Sequence, residues 1–149
     1  MQQGPQPVNQ VLEQAADILM RKYSRDGVFE NPNAVKDYLK VKFGQFDREV
    51  FGVMLLDTQN RLMKLELLFW GTINAASVYP REVVKAVLLA NAAGVVLCHN
   101  HPSGVAEPSQ ADRAITGKLS SALALIDVPV LDHIVVGEQT VSFAERGWL

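Results

Sequence analysis

The feature that most limits the possible folds of this chain is the order in which its hydrophobic periodicity switches between the helical and the strand type. Apolar residues recur at helical spacing in four segments, which cover residues 8–23, 35–44, 80–94 and 108–126. Strand-like runs cover residues 48–72, 95–100 and 128–143. A polar turn divides the first run into two strands, and another polar turn divides the last run in the same way. The order helix, helix, strand, strand, helix, strand, helix, strand, strand predicts an α/β (α+β) fold with a mixed central sheet flanked by helices.

Size and composition are those of a single globular domain. The 149 residues match one ordinary domain, and 48% hydrophobic residues are enough for a packed core. Fourteen Lys and Arg against sixteen Asp and Glu leave a net charge of -2, which does not favour nucleic-acid binding. The single cysteine, Cys98, excludes an internal disulfide and a cysteine-rich zinc ribbon, and is typical of a reducing compartment.

No targeting or membrane segment is visible in the sequence. The start, MQQGPQPVNQ, has neither the basic nor the apolar region of a signal peptide. The longest nearly apolar run, residues 86–98, contains Asn91 and is too short to cross a bilayer. We therefore predict a cytoplasmic protein that does not contact membranes.

The sequence HNHPSG, residues 99–104, occupies the end of a predicted strand and the turn behind it. Successive strand side chains point to opposite faces, so His99 and His101 project to the same side. The proline and the glycine turn the chain sharply and lead to Ser109 and Asp112 at the start of the next helix. Asp112 lies eleven positions after His101, which is enough chain to return its carboxylate to the histidines. Two neutral histidines and one aspartate can hold zinc with a fourth position open, as catalytic zinc sites do.

The same residues also have plainer explanations, which the sequence leaves open. The two histidines can simply stand at a strand end near solvent. Ser109 and Asp112 have the spacing of a capping box, which needs no metal. His133 can replace Asp112 as the third ligand.

Other proteins that use a His-x-His pair do not match this chain. An amidohydrolase barrel needs about 250 residues, and a zinc deaminase needs a Cys-x-x-Cys pair. In the HNH nucleases the three letters denote residues scattered through a strand and helix unit, so three adjacent letters are a coincidence. A cupin would use His99, His101, Glu107 and His133, but the four helical patterns conflict with its all-β barrel.

The segment HNHPSGVAEPSQAD resembles the JAMM zinc signature, His-x-His-Pro followed by Ser-x-x-Asp, in the form found in the RadC-like JAB domain family. The resemblance continues through REVFGVMLLD, through the segment from GTINAASVYP to GVVLC, and through LDHIVVG, so it covers about residues 30–149. It implies a JAB/MPN, cytidine-deaminase-like architecture for a metal-dependent hydrolase domain at residues 31–149, preceded by an N-terminal tail and helix at residues 1–30.

The resemblance also implies the residues of a site. His99, His101 and Asp112 match the family's metal ligands, with Zn²⁺ as the cofactor. Ser109 matches the residue that helps to hold the attacking water and the oxyanion. Glu49, at the start of the first strand of the domain, matches the catalytic glutamate, which acts as general base and then as general acid.

The function implied is that of a zinc-dependent hydrolase that cleaves peptide or isopeptide bonds, so the expected partner is a peptide or protein substrate. Glu66, in the apolar run MKLELLFW, is a second carboxylate that the residues alone do not separate from Glu49. The alternative function is a zinc-stabilised protein-binding module with little catalysis, associated with DNA repair or mobile elements. A DNA-directed hydrolase is a third. Longer RadC-like proteins carry a helix-hairpin-helix segment ahead of this domain, for which this chain has no room, and we expect no direct nucleic-acid binding.

Overall fold

The structure, a computed structural model, describes residues 7–30, 32–74 and 77–149. Within these residues the chain forms the predicted succession of helices and strands. The helices are α1 (Pro7–Arg25), α2 (Pro32–Phe43), α3 (Pro80–Ala90) and α4 (Gln110–Ala124). The strands are β1 (Val50–Leu56), β2 (Leu62–Trp70), β3 (Gly94–Asn100), β4 (Val130–Val136) and β5 (Thr140–Ser142). Residues 1–6, which belong to the predicted tail, lie outside the described residues.

The five strands form one mixed sheet in the order β2-β1-β3-β4-β5. β1 is antiparallel to both β2 and β3, while β3 and β4 are parallel and β5 returns antiparallel to β4. A parallel pair needs a long crossover connection, and α4 provides it between β3 and β4. The predicted mixed sheet flanked by helices is therefore confirmed.

Two helices cover each face of the sheet. On one face, Ala16 of α1 and Tyr38 of α2 pack into a core with Met54 and Cys98 of the central strands. On the other face, α3 and α4 pack their buried residues against β1 and β3. β1 and β3 are buried along their whole length, as expected of central strands with helices on both sides. In the described part of the chain, no helix combines the length and the apolar composition that a membrane span requires.

The alternation of side chains along β3 decides where the HNHPSG residues are placed. Cys98 belongs to the core beneath α1 and α2, whereas Leu97 belongs to the core beneath α3 and α4. By the same period of two, His99 continues the α3/α4 side and Asn100 continues the α1/α2 side. The two polar residues at the end of this strand therefore serve opposite faces of the sheet.

Candidate metal centre

Two histidines meet at the end of β3, on the side that α4 covers. The side chain of His99 is fully buried, and that of His101 is 14% exposed. Their Nε2 atoms lie 3.1 Å apart. Nδ1 of His101 lies 2.8 Å from the backbone carbonyl oxygen of Val105, in the turn that follows. A carbonyl oxygen only accepts hydrogen bonds, so Nδ1 of His101 carries a proton, and Nε2 of the neutral ring is free to coordinate a metal.

The turn behind the histidines depends on two glycines that approach each other closely. Gly104 has a φ of +94°, a conformation that residues with a side chain rarely adopt. Its carbonyl oxygen accepts a hydrogen bond from the backbone N of Glu138 at 2.8 Å. A Cβ atom on Gly137 would lie 2.5 Å from that same oxygen. The turn therefore packs against the β4–β5 loop only because both positions are glycine.

Asp112 joins the two histidines from the first turn of α4. Its Oδ1 lies 3.0 Å from Nε2 of His99, and its Oδ2 lies 3.1 Å from Nε2 of His101. Oδ2 also accepts a hydrogen bond from the backbone N of Ser109 at 2.8 Å, while Oγ of Ser109 accepts one from the backbone N of Asp112 at 3.1 Å. These two bonds form a capping box. Asp112 therefore both caps α4 and faces the histidines.

The donor atoms of His99, His101 and Asp112 have the spacing of ligands around one metal ion, and all lie within 4.8 Å of one another. Zinc bonds of about 2.0–2.2 Å place neighbouring ligand atoms of a tetrahedron about 3.3–3.6 Å apart. The observed distances of 3.0 and 3.1 Å between the imidazoles and the carboxylate are close to that range. Imidazole lone pairs and carboxylate oxygens are all acceptors, so they repel one another unless a proton or a cation lies between them. The three residues could therefore hold a metal ion, and two histidines with one aspartate suit zinc.

Charges within the cluster shift the pKa values of its members. Burial would raise the pKa of the Asp112 carboxyl, but its contacts with Nε2 of His101 and of His99, when those nitrogens carry a proton, hold that pKa well below its usual range. The hydrogen bond to Asp112 raises the pKa of His101 against the effect of burial, and the charge of Glu49 contributes. Burial lowers the pKa of His133 well below its usual value. The ionised Asp112 thus draws a proton or a metal cation to His101.

Glu49 stands immediately before β1, and Asn100 holds its backbone from both sides. Oδ1 of Asn100 accepts a hydrogen bond from the backbone N of Val50 at 2.7 Å, and Nδ2 donates one to the carbonyl oxygen of Arg48 at 3.0 Å. The side chain of Glu49 accepts a hydrogen bond from the backbone N of Ile73 at 2.6 Å through Oε2. Among the described residues, none donates a hydrogen bond to Oε1. The described contacts thus anchor the carboxylate at Oε2.

The two remaining candidates from the sequence, Ser109 and Glu66, lie in different surroundings. Ser109 is exposed at the N-cap of α4, and its Oγ accepts the bond from Asp112, so its hydroxyl proton remains free to be donated. Glu66, the alternative to Glu49, lies on the edge strand β2 in an ion pair with Lys64 at 2.6 Å. It is not brought together with the histidines.

His133 lies on β4 behind His99, not among the donor atoms. Its Nε2 lies 2.9 Å from Nδ1 of His99, and its Nδ1 lies 2.6 Å from Oγ1 of Thr116. It therefore contacts the ring nitrogen of His99 that points away from Asp112. The alternative ligand set, with His133 in place of Asp112, is not the one that the structure brings together.

Asp132, beside His133, ties the last strand to the sheet. Its Oδ2 accepts a hydrogen bond from Oγ of Ser142 at 2.6 Å, and its Oδ1 accepts one from the backbone N of Ala144 at 3.0 Å. These hydrogen bonds explain why the carboxylate of Asp132 is buried: it has a structural role.

A cavity of about 310 Å³ opens beside His101. It lies between the end of α2, the turn at 102–104 and the β4–β5 loop. Lys40 and Glu138 give its lining one charge of each sign, and Phe43 contributes apolar surface. The volume is at the lower end of the range for ligand pockets, so the groove can receive a short segment of a larger substrate.

The fold and the cluster together define a class of protein. A mixed sheet flanked by helices, with His99, His101 and Asp112 converging at the end of a central strand, characterises a JAB-type α/β domain with a potential metal site. The family described as RadC-like JAB domain matches residues 29–148, and the chain belongs to that family. The resemblance inferred from the HNHPSG signature is therefore confirmed.

Several curated relatives carry the name UPF0758 protein. One from Vibrio cholerae is 60% identical over 141 residues, which are 95% of this chain and 90% of the relative. One from Pseudoalteromonas translucida is 60% identical over 138 residues, or 92% of this chain and 62% of the relative. One from Leptothrix cholodnii is 56% identical over 140 residues, or 93% of this chain and 63% of the relative. The chain thus spans most of the first relative and less than two thirds of the other two, and these names state no activity.

Proposed function

We propose that this chain is a JAMM-type hydrolase domain, in which His99, His101 and Asp112 hold Zn²⁺ and Glu49 carries protons. The convergence of two imidazole nitrogens and one carboxylate at distances of 3.0–3.1 Å carries this proposal. The membership of the RadC-like JAB domain family and the JAMM signature in HNHPSGVAEPSQAD support it. When bound, zinc supplies a Lewis acid that lowers the pKa of a water molecule and polarises a substrate carbonyl group.

The proton steps belong to Glu49 in this proposal. Oε1, to which no described residue donates a hydrogen bond, takes a proton from the attacking water and delivers it to the nitrogen of the leaving amine. The bond from the backbone N of Ile73 to Oε2 keeps the carboxylate oriented meanwhile. Asn100 fixes the backbone on both sides of Glu49, so the carboxylate needs little reorganisation during the reaction.

Ser109 supplies a hydrogen-bond donor for the substrate. Its hydroxyl oxygen is already an acceptor in the capping box, so the hydroxyl proton is directed elsewhere. Donated to the substrate carbonyl oxygen, it stabilises the negative charge that develops during attack. Comparable donors contribute about 3 kcal/mol to the transition state.

The proposed substrate is a peptide or an isopeptide-linked protein segment whose scissile bond lies at the cluster, while the groove on the α2 side of His101, which shares that histidine with the cluster, holds a neighbouring part of the segment. The groove carries one charge of each sign, and the chain has a net charge of -2. Neither charge distribution favours binding of a nucleic-acid phosphate backbone. The competing function is a zinc-stabilised protein-binding module with little catalysis.

Metal content and hydrolysis, measured together, separate these functions. We would compare the wild type with Glu49→Gln, which keeps an oxygen for the Ile73 bond, and with Asp112→Asn. Cleavage of a peptide library and of isopeptide-linked protein pairs is followed by mass spectrometry. We expect zinc in the wild type and in Glu49→Gln, but cleavage only by the wild type.

Two results would contradict the proposal. Equal cleavage by Glu49→Gln and the wild type removes Glu49 from the mechanism. A zinc-loaded wild type that cleaves no substrate favours the binding module.

A further inference from the structure

A buried chain of hydrogen bonds leads away from the metal cluster on the far side of His99. Nδ1 of His99 lies 2.9 Å from Nε2 of His133, and Nδ1 of His133 lies 2.6 Å from Oγ1 of Thr116. Oγ1 of Thr116 in turn donates to the backbone carbonyl oxygen of Asp112 at 2.8 Å. His99 and His133 are fully buried, and Thr116 is 4% exposed. The chain therefore begins at one candidate ligand and ends at the backbone of another.

The single proton of the threonine hydroxyl determines the direction of every bond in this chain. Because Thr116 donates that proton to a carbonyl oxygen, its Oγ1 can only accept from His133, and Nδ1 of His133 carries a proton. A neutral imidazole has one N–H group, so Nε2 of His133 is an acceptor. It accepts the proton on Nδ1 of His99, which leaves Nε2 of His99 as a lone pair that faces Asp112.

A buried histidine that only fills space is the plainer explanation. The rings of Phe51 and Phe143 enclose His133, with centroids 5.8 and 4.6 Å away, and Phe143 is stacked on it. An aromatic residue would fill this apolar site without the cost of burying two polar nitrogens. Both nitrogens of His133 are instead engaged, one of them with a candidate ligand.

The other candidate histidine is oriented by a simpler device. Nδ1 of His101 donates directly to the carbonyl oxygen of Val105 at 2.8 Å. The side chain of His99 is fully buried, and its Nδ1 meets a side-chain nitrogen, Nε2 of His133 on the neighbouring parallel strand β4. Partners of this kind orient metal-binding histidines and select the nitrogen that coordinates.

We propose that His133, backed by Thr116, is a positioning residue that holds His99 in its Nδ1–H tautomer and so sets the affinity of the site for its metal. This inference rests on the proposed metal site, but not on the proposed hydrolysis. It assigns His133 no contact with metal or substrate.

Two pairs of variants test the inference. His133→Phe keeps the ring between Phe51 and Phe143 and removes the acceptor, whereas His133→Gln restores an amide oxygen that can accept from His99. Thr116→Val removes the hydroxyl at constant shape, and Thr116→Ser keeps it. Zinc affinity is measured by competition with a chromophoric chelator, and thermal unfolding of the metal-free proteins is recorded alongside.

We expect His133→Phe and Thr116→Val to bind zinc about 10- to 100-fold more weakly, and the Gln and Ser variants to recover most of that loss. Ring ¹⁵N chemical shifts of His99 in the metal-free wild type should show a proton on Nδ1, and the Phe and Val variants should show a mixture of tautomers. A merely structural role would lower the unfolding temperature, with no change in tautomer and no recovery of affinity in the conservative variants.

Wild-type affinity in folded His133→Phe and Thr116→Val, or a proton on Nε2 of His99 in the metal-free wild type, overturns the inference. Absence of hydrolysis by a zinc-loaded wild type overturns the proposed function instead. The two failures are therefore distinguishable.

Discussion

The replacement Asp112→Asn separates the two roles of this side chain. Asparagine keeps the shape of aspartate and an oxygen that can accept from the backbone N of Ser109, so the cap of α4 is retained. The negative charge that faces His99 and His101 at 3.0 and 3.1 Å is lost. We therefore expect a folded protein whose stability responds only weakly to zinc.

The size of this response follows from linkage. Zinc at about 100 times its Kd stabilises the wild type by about 2.7 kcal/mol, which for a chain of this size raises Tm by about 5–11 °C. Removal of one member of a buried charge pair costs about 2–5 kcal/mol, or about 30- to 4,000-fold in affinity. A 100-fold loss leaves about 0.4 kcal/mol of zinc stabilisation and a rise in Tm of less than about 2 °C.

Thermal unfolding of chelator-stripped protein, with and without added zinc, measures this difference. Ser109→Ala is the matched control, because it removes the serine half of the capping box at a cost of about 1 kcal/mol and leaves the three donor side chains in place. It should lower Tm equally with and without zinc. If Asp112→Asn shows the full zinc-dependent rise of the wild type, Asp112 is only a helix cap and the proposed ligand set is wrong.

Three further predictions concern the surroundings of the cluster. Asn100→Ala leaves the buried backbone N of Val50 without its partner, which costs about 1–3 kcal/mol of folding stability. Because the backbone around Glu49 is then no longer held, kcat should fall while zinc affinity stays unchanged. An unchanged kcat would contradict the proposed role of Asn100 in positioning Glu49. Zinc affinity should fall as the pH decreases through the raised pKa of His101, because proton and metal compete for Nε2. The contribution of His101 to the stability of the metal-free protein has the opposite dependence, being largest below the usual pKa and decreasing as the pH rises through the raised one, whereas the lowered pKa of His133 makes its contribution decrease as the pH falls. Titration of Kd between about pH 5.5 and pH 8 checks the first sign, and the difference in Tm between the wild type and His133→Phe over the same range separates the two contributions to stability. Gly137→Ala should destabilise the protein by about 1–3 kcal/mol in denaturant unfolding, because its Cβ meets backbone 2.5 Å away, whereas Gly117→Ala, which meets no atom within 4 Å, should stabilise α4 by up to about 1 kcal/mol.

Local patterns predicted the order of the nine elements that the structure describes, and they allowed Asp112 to approach the histidines, while the JAMM resemblance selected it over His133. Strand alternation placed His99 and His101 on one side of the sheet. The chain between them and α4 was long enough to bring the carboxylate of Asp112 back to the two histidines. These inferences need only spacing along the sequence. They succeed because period and turn chemistry are local properties.

Contacts across the sheet could not be predicted in this way. Asn100 holds the backbone around Glu49 because β3 is antiparallel to β1, with His99 opposite Phe51. The sequence of either strand alone does not determine this register. The contact of His133 with His99 similarly depends on the parallel pairing of β3 with β4. In the sequence, Asn100 and His133 are each a polar residue within an apolar strand, and Glu66 has the same pattern. Only the fold separates residues that serve the cluster from one in a surface ion pair.

The position of Asp112 at the start of a helix has a consequence for metal binding. Burial favours the protonated form of a carboxyl group, and a protonated ligand must lose its proton before it can coordinate. The backbone N of Ser109 and the positive end of α4 stabilise the ionised form instead, and so does a proton carried on Nε2 of a neighbouring imidazole. The helix dipole also opposes a cation at this place, but it acts within one turn and as a partial charge, whereas the carboxylate carries a full charge at contact distance. The capping box therefore delivers an ionised, rotationally fixed oxygen to the histidines, so that metal competes with a proton at His101 and not at Asp112.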